Sequence, residues 1–282
     1  MGSRQHANVI SRIAAVLVCA LCCGAASADV PQTKSDIKGA SLVSLGTLPH
    51  SPEIGFLDEY CEGYRDKELT AAGRQVAKLG WIVTSEAPLG RYRVVTFASG
   101  YTPGTSGMCA ARNANIGIFD GASLVALAYT SQSADVPLGT VEPLEGGALL
   151  VWGGGWTGPP VGELHESNND LHLTAIAPER TFCRGRAVVP NVYGKPVDAA
   201  RRILLAHGWR PQRPSASDRK WGGAGELAKR GIIEAESCSG TGVGYCAFSY
   251  RGPAGVLSLT TIGGTDLAEN SVVNYGVVCT AK

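Results

Sequence analysis

The sequence predicts an α+β fold, rich in strands, built as two small disulfide-braced units with one short helix each. Three observations predict it. Helical spacing is clear in two segments. Short apolar stretches with partial alternation recur between Gly-rich turns. Six cysteines, an even number, are spread along the chain beyond an N-terminal export signal.

The signal occupies residues 1–28. Arg4 and Arg12 form its positive end, an apolar run covers 13–23, and Ala26-Ser27-Ala28 gives a small-x-small cleavage site. That run is shorter than the roughly 20 residues a membrane helix needs. Cys22 and Cys23 lack the spacing of a lipoprotein signal, so the expected destination is the periplasm or the cell exterior. The signal holds two of the 25 basic residues and none of the 24 acids, so 254 residues remain with a net charge of −1. Nucleic acid and anionic membrane surfaces call for a basic excess. Neither is expected as a partner, and no segment after the signal reads as membrane-spanning.

Residues 29–55, with Pro31, Pro49 and Pro52, read as a loose N-terminal arm. A first unit is expected over 56–180. Its helix starts at Thr70, carries Ala72, Val76 and Leu79 on one face, and stops at Gly80. Residues 81–84 then run extended. Strands are expected at 91–97, at 115–119 and 124–129 around an Asp120-Gly121 turn, at 148–152 and at 171–176.

A second unit is expected over 181–282. An extended stretch covers 188–192. A helix follows with Pro196 at its first position, Val197, Ala200, Ile203, Leu204 and His207 on one face, and Gly208 at its end. Residues 213–226 read as a polar loop, and strands at 245–250, 256–262 and 272–278 finish the chain. Gly80-Trp81 and Gly208-Trp209 follow their helices at matching spacing. We read these as two independent helix–strand junctions.

In an exported chain, Cys61, Cys109, Cys183, Cys238, Cys246 and Cys279 read as disulfides. Six cysteines allow 15 pairings. The expected set is Cys61–Cys109, Cys183–Cys279 and Cys238–Cys246. None of the six forms a CxxC pair, so no metal site is expected.

The run Val189-Pro190-Asn191-Val192-Tyr193-Gly194, then Ala200 and Leu204, then Gly208-Trp209, resembles the opening of a PASTA domain. That family begins with an extended V-P-x-V-x-G, a helix carrying A-x-x-x-L, and a glycine that turns into a strand. The match covers residues 188–211. The family's later P-x-x-G-x-x-V pattern has no counterpart here. The resemblance implies a local strand–helix–strand fold and contact with peptidoglycan.

Catalytic patterns are incomplete. Gly104-Thr105-Ser106-Gly107-Met108 lacks the last glycine of a nucleophile elbow. The glycines of 239–244 sit between two cysteines and read as a hairpin turn. His165-Glu166 lacks the second histidine of H-E-x-x-H, and His165 and His172 flank what reads as a solvated turn. Asp58, Glu59, Glu62 and Asp66 bunch in one polar segment. No catalytic residue, cofactor or metal is assigned. Trp152 and Trp156 flank three glycines, and Tyr101 lies in another Gly-rich loop. These three aromatics are the candidate ligand-binding residues, since exposed rings stack on sugars. The expected function is non-enzymatic binding at the bacterial envelope, to peptidoglycan or an envelope protein. The alternatives are an exported enzyme inhibitor or immunity-type protein, and a secreted hydrolase with a dispersed site.

Overall fold

The computed structural model describes residues 30–53, 57, 59–131, 137–155, 157–215, 223–267 and 269–281. The export signal, Asp58 and Trp156 lie outside these. Among the described residues no helix is long and apolar enough to cross a membrane.

Two five-stranded sheets face each other in the first part of the chain. One sheet runs in the order β2 (Ala40–Ser44), β8 (Ser123–Thr130), β7 (Asn115–Asp120), β4 (Tyr92–Ala98), β3 (Ile82–Leu89). The other runs β1 (Gln32–Ser35), β12 (Asp170–Thr174), β11 (Pro160–Ser167), β10 (Leu149–Gly153), β9 (Leu138–Pro143). Alternation fixes their facing sides. Leu89, Val94, Ile116, Ile118 and Ala126 of the first meet Leu149, Val151, Leu164, Leu171 and Leu173 of the second in one core. β1 runs beside β2 at one margin and β9 beside β3 at the other, so the pair forms a flattened shell. All neighbouring strands within the two sheets are antiparallel except β1, which lies parallel to β12 with Gln32 opposite Asp170.

The other face of the β2–β3 sheet is also buried. Helix α1 (Ala71–Lys78) lays Ala72 and Val76 against Val83, Val95, Phe97 and Phe119. Thr70 caps it as expected, its hydroxyl accepting from the Gly73 amide at 3.4 Å. Burial on both faces explains why β4 reads as a nearly continuous apolar run. Beside this sheet, the hairpin of β5 (Gly100–Pro103) and β6 (Cys109–Arg112) is tied by Cys61–Cys109 to a 3-10 turn at Glu59–Tyr64.

The rest of the chain has its own core. The hairpin β13 (Glu179–Phe182) and β14 (Ala187–Pro190) leads to helix α2 (Val197–Ala206). A sheet follows in the order β15 (Arg210–Pro211), β17 (Cys246–Gly252), β18 (Gly255–Ile262), β19 (Ser271–Cys279), with β16 (Ala235–Cys238) also on β17. Helix α3 (Ala224–Lys229) packs against β16. Val189, Val197, Leu204, Trp209, Phe248 and Leu257 share this core.

Several expectations change. The fold is mostly β rather than α+β, with 47% of the described residues in strands and 14% in helices. Strands hidden from the sequence tip the balance: β5, β6, β9, β11, β13 and β16 are short or hold Gly and Pro. The stretch read as a loose arm supplies β1 and β2, and Leu42 of β2 is in the core. The segment read as a loop to residue 226 includes the start of α3. Pro196 is the N-cap of α2 rather than its first residue. The three disulfides among the described residues pair Cys61–Cys109, Cys183–Cys279 and Cys238–Cys246, the expected set.

Candidate functional site

Three places follow from the candidate residues, starting with the aromatics. Tyr101 of β5 is 4% exposed and packs among Cys61, Ile82, Ala98 and Cys109. Its ring meets Tyr64 at 5.3 Å, and burial pushes its phenol up to about 12. No open ring face is left for a sugar. Trp152 of β10 is half-buried. Its indole Nε1 donates to Glu142 Oε2 at 3.2 Å, and its ring lies edge-on to Tyr193 at 5.9 Å. Trp152 therefore joins a seam, and nothing in this geometry brings it together with Tyr101.

The seam lies where the outer face of the β1–β9 sheet meets the second unit. Tyr193 stacks on Tyr275 at 4.3 Å, and Tyr275 meets Phe182 at 6.4 Å. Arg180, with its side chain 12% exposed, pairs with Glu142 at 2.6 Å and donates to the Tyr193 hydroxyl at 3.1 Å. Burial pushes the Tyr193 phenol up to about 12. Burial also raises Tyr275, whose hydroxyl is enclosed without a hydrogen-bond partner in the described protein. Glu163 of β11 accepts from the Ala177 amide, in the connection between β12 and β13, at 3.0 Å. Glu145 accepts from the Arg184 and Gly185 amides at 2.8 and 3.0 Å, and these bonds hold its carboxyl below the usual range. These contacts are polar and aromatic.

A groove of about 690 Å³ opens at the β6–β7 turn. Arg112, Asn113, Asn115, Tyr129 and Glu53 line it. Asn113 adopts φ +48°, a backbone position that Asn tolerates better than most residues. Its amide donates to Ser99 Oγ at 2.9 Å, and Asn115 donates to the Asn113 carbonyl at 2.7 Å. Arg112 pairs with Glu53 at 2.9 Å, while its Nε is buried without a partner. Tyr129 is among the exposed large hydrophobic side chains. The wall thus offers amides, a guanidinium and an accessible ring, which suits a polar ligand bearing carbonyl or carboxylate oxygens. Sequence reasoning missed this place because its residues come from the β6–β7 turn, the adjoining ends of β6, β7 and β8, and the segment at Glu53, with no spacing in common.

The histidines also move from their expected place. His165 and His172 lie within β11 and β12, directly opposite each other, and not on a loop. Asn168 and Asn169 take positive φ, which makes the turn between them tight. Asn-Asn between two alternating stretches was the available signal. His165 Nε2 is 3.2 Å from Glu163 Oε2, and His172 Nε2 is 2.7 Å from Asp36 Oδ2. Comparison with protein-family models, with curated proteins and with solved structures returns no match, so the chain is placed by its own chemistry alone.

Proposed function

We propose that this chain is an exported, non-enzymatic binding protein of the bacterial envelope, and that peptidoglycan is its ligand. The observation that carries the reading is the groove at Arg112, Asn113, Asn115 and Tyr129. Peptidoglycan presents amides, carboxylates and sugar rings, and each has a complement on that wall: Asn donors, a guanidinium and a phenol ring. Support of a different kind comes from residues 188–211, which resemble the opening of a PASTA domain. Three disulfides fit an oxidising compartment. The site differs from the aromatic set expected first, since Tyr101 is buried and Trp152 is engaged in the seam.

Co-sedimentation with insoluble peptidoglycan tests the reading. The native chain is expected in the pellet. The Arg112→Ala, Tyr129→Ala double variant is expected to weaken retention at least tenfold, and Trp152→Ala to leave it unchanged. Native protein left in the supernatant would sink the proposal. Retention unaffected by the double variant would move the site away from the groove.

A second reading, a secreted hydrolase, is favoured by one observation: the opposed histidines, each beside a carboxylate. It requires soluble fragments to appear from peptidoglycan and to disappear with His165→Ala.

A further inference from the structure

His165 and His172 form a cross-strand pair on the outer face of the β1–β9 sheet. Directly opposed residues have Cβ atoms about 4.5–5.5 Å apart on the same face. Their neighbours Leu164, Leu171 and Leu173 point into the core, so both imidazoles point outward. Their side chains are 42% and 34% exposed.

Each ring has a carboxylate beside its Nε2, hydrogen-bonded in the case of His172. His165 Nε2 faces the carboxylate of Glu163, whose side chain is 7% exposed and whose other oxygen is fixed by the Ala177 amide. His172 Nε2 meets Asp36, which also holds Lys34 at 2.8 Å. His172 Nε2, hydrogen-bonded to Asp36, carries the hydrogen, which leaves the lone pair on its Nδ1, and the Glu163 carboxylate 3.2 Å from His165 Nε2 favours the same tautomer there. Among the described residues no hydrogen bond engages either Nδ1. Carboxylates behind both rings are the outer shell found around metal-bound histidines. Lys34 stands opposite His172 in the β1–β12 register, but its charge is balanced by Asp36.

We propose that His165 and His172 bind a divalent transition ion of the zinc type through their two Nδ1 atoms. Imidazole nitrogens favour such ions over magnesium or calcium. Among the described residues no group of three or more His, Cys, Asp or Glu side chains is placed to hold a metal. With two protein ligands the remaining coordination positions would be left to water or an external ligand. The groove at Arg112 takes no part, so the proposal stands or falls apart from the peptidoglycan reading.

Calorimetric titration of the disulfide-intact chain with zinc chloride at pH 7.5 tests it. One saturable ion per chain is expected, with no response to magnesium. His165→Asn and His172→Asn should each weaken binding at least tenfold, and Glu163→Gln about tenfold through the outer shell. Nitrogen NMR of the native chain gives a second readout that needs no variant. Zinc should shift the Nδ1 resonances of both rings. A native chain that binds zinc no better than the His165→Asn, His172→Asn double variant would overturn the site. So would a shift confined to the Nε2 atoms.

Discussion

At the scale of single residues, the tyrosines carry the sharpest consequence. Tyr101 and Tyr193 are held neutral by burial, with phenols pushed up to about 12. An unfolded tyrosine loses its proton near pH 10. The raised folded values make the sign definite. Below pH 10 both states hold the proton and the stabilisation is whole. As pH climbs from 10 toward 12 only the unfolded chain ionises, and stability drains away. Urea midpoints should hold steady up to pH 9.5 and fall steeply by pH 11, with tyrosinate absorbance rising as the chain unfolds. Tyr193→Phe should make that fall shallower. Full ionisation of a folded chain at pH 10 would contradict the burial described for both rings. The same residues show where sequence reading stops. Tyr101 sits among glycines and looked exposed. It is the Cys61–Cys109 bond beside it that draws Tyr64 and the 3-10 turn over its ring.

At the scale of elements, Arg201 of α2 ties its helix to the β15–β19 sheet. Its Nε meets Glu234 at 2.7 Å, and the Tyr250 hydroxyl of β17 donates to the same oxygen at 2.9 Å. Glu234 is fully buried. Arg201→Ala removes the cation and leaves an enclosed carboxylate, at a cost of about 3 kcal/mol. Equilibrium unfolding in urea at pH 7 checks this, and a loss under 1 kcal/mol would mean that water reaches the site. Both long helices were legible because their periodicity, caps and glycine stops agree. Gly80 and Gly208 take φ of +85° and +83°, and each hands over to a tryptophan whose indole donates to a backbone carbonyl. The β7–β8 hairpin and the last three strands were legible for the same reason. β1, β2 and β13 were not, because four or five residues give too few alternations to count, and β1 and β13 bury no residue fully. The turn between the histidines was legible at 167–170, but not its tightness: Asn168 and Asn169 in positive φ close it into a hairpin that sets His165 opposite His172.

At the scale of the molecule, two cores are joined through polar and aromatic contacts, and the covalent braces lie within each unit. Cys183–Cys279 spans 96 residues and closes almost the whole second unit. Cross-linking so long a loop contributes roughly 4–5 kcal/mol in the chain-entropy model. The Cys183→Ser, Cys279→Ser double variant should therefore melt its second unit first, leaving the β1–β12 shell to unfold in a separate step by calorimetry. A single transition, shifted as a whole, would show that the seam couples the units fully.

The parallel contact of β1 with β12 sets an order of events. β1 is among the first strands to be made, and its partner ends at Thr174. Until then β1 has nothing to pair with, while α1 and the β7–β8 hairpin can settle from neighbouring residues. The shell is therefore expected to close last at β1, whose partner lies far along the chain, and closing it carries the loop entropy of that separation.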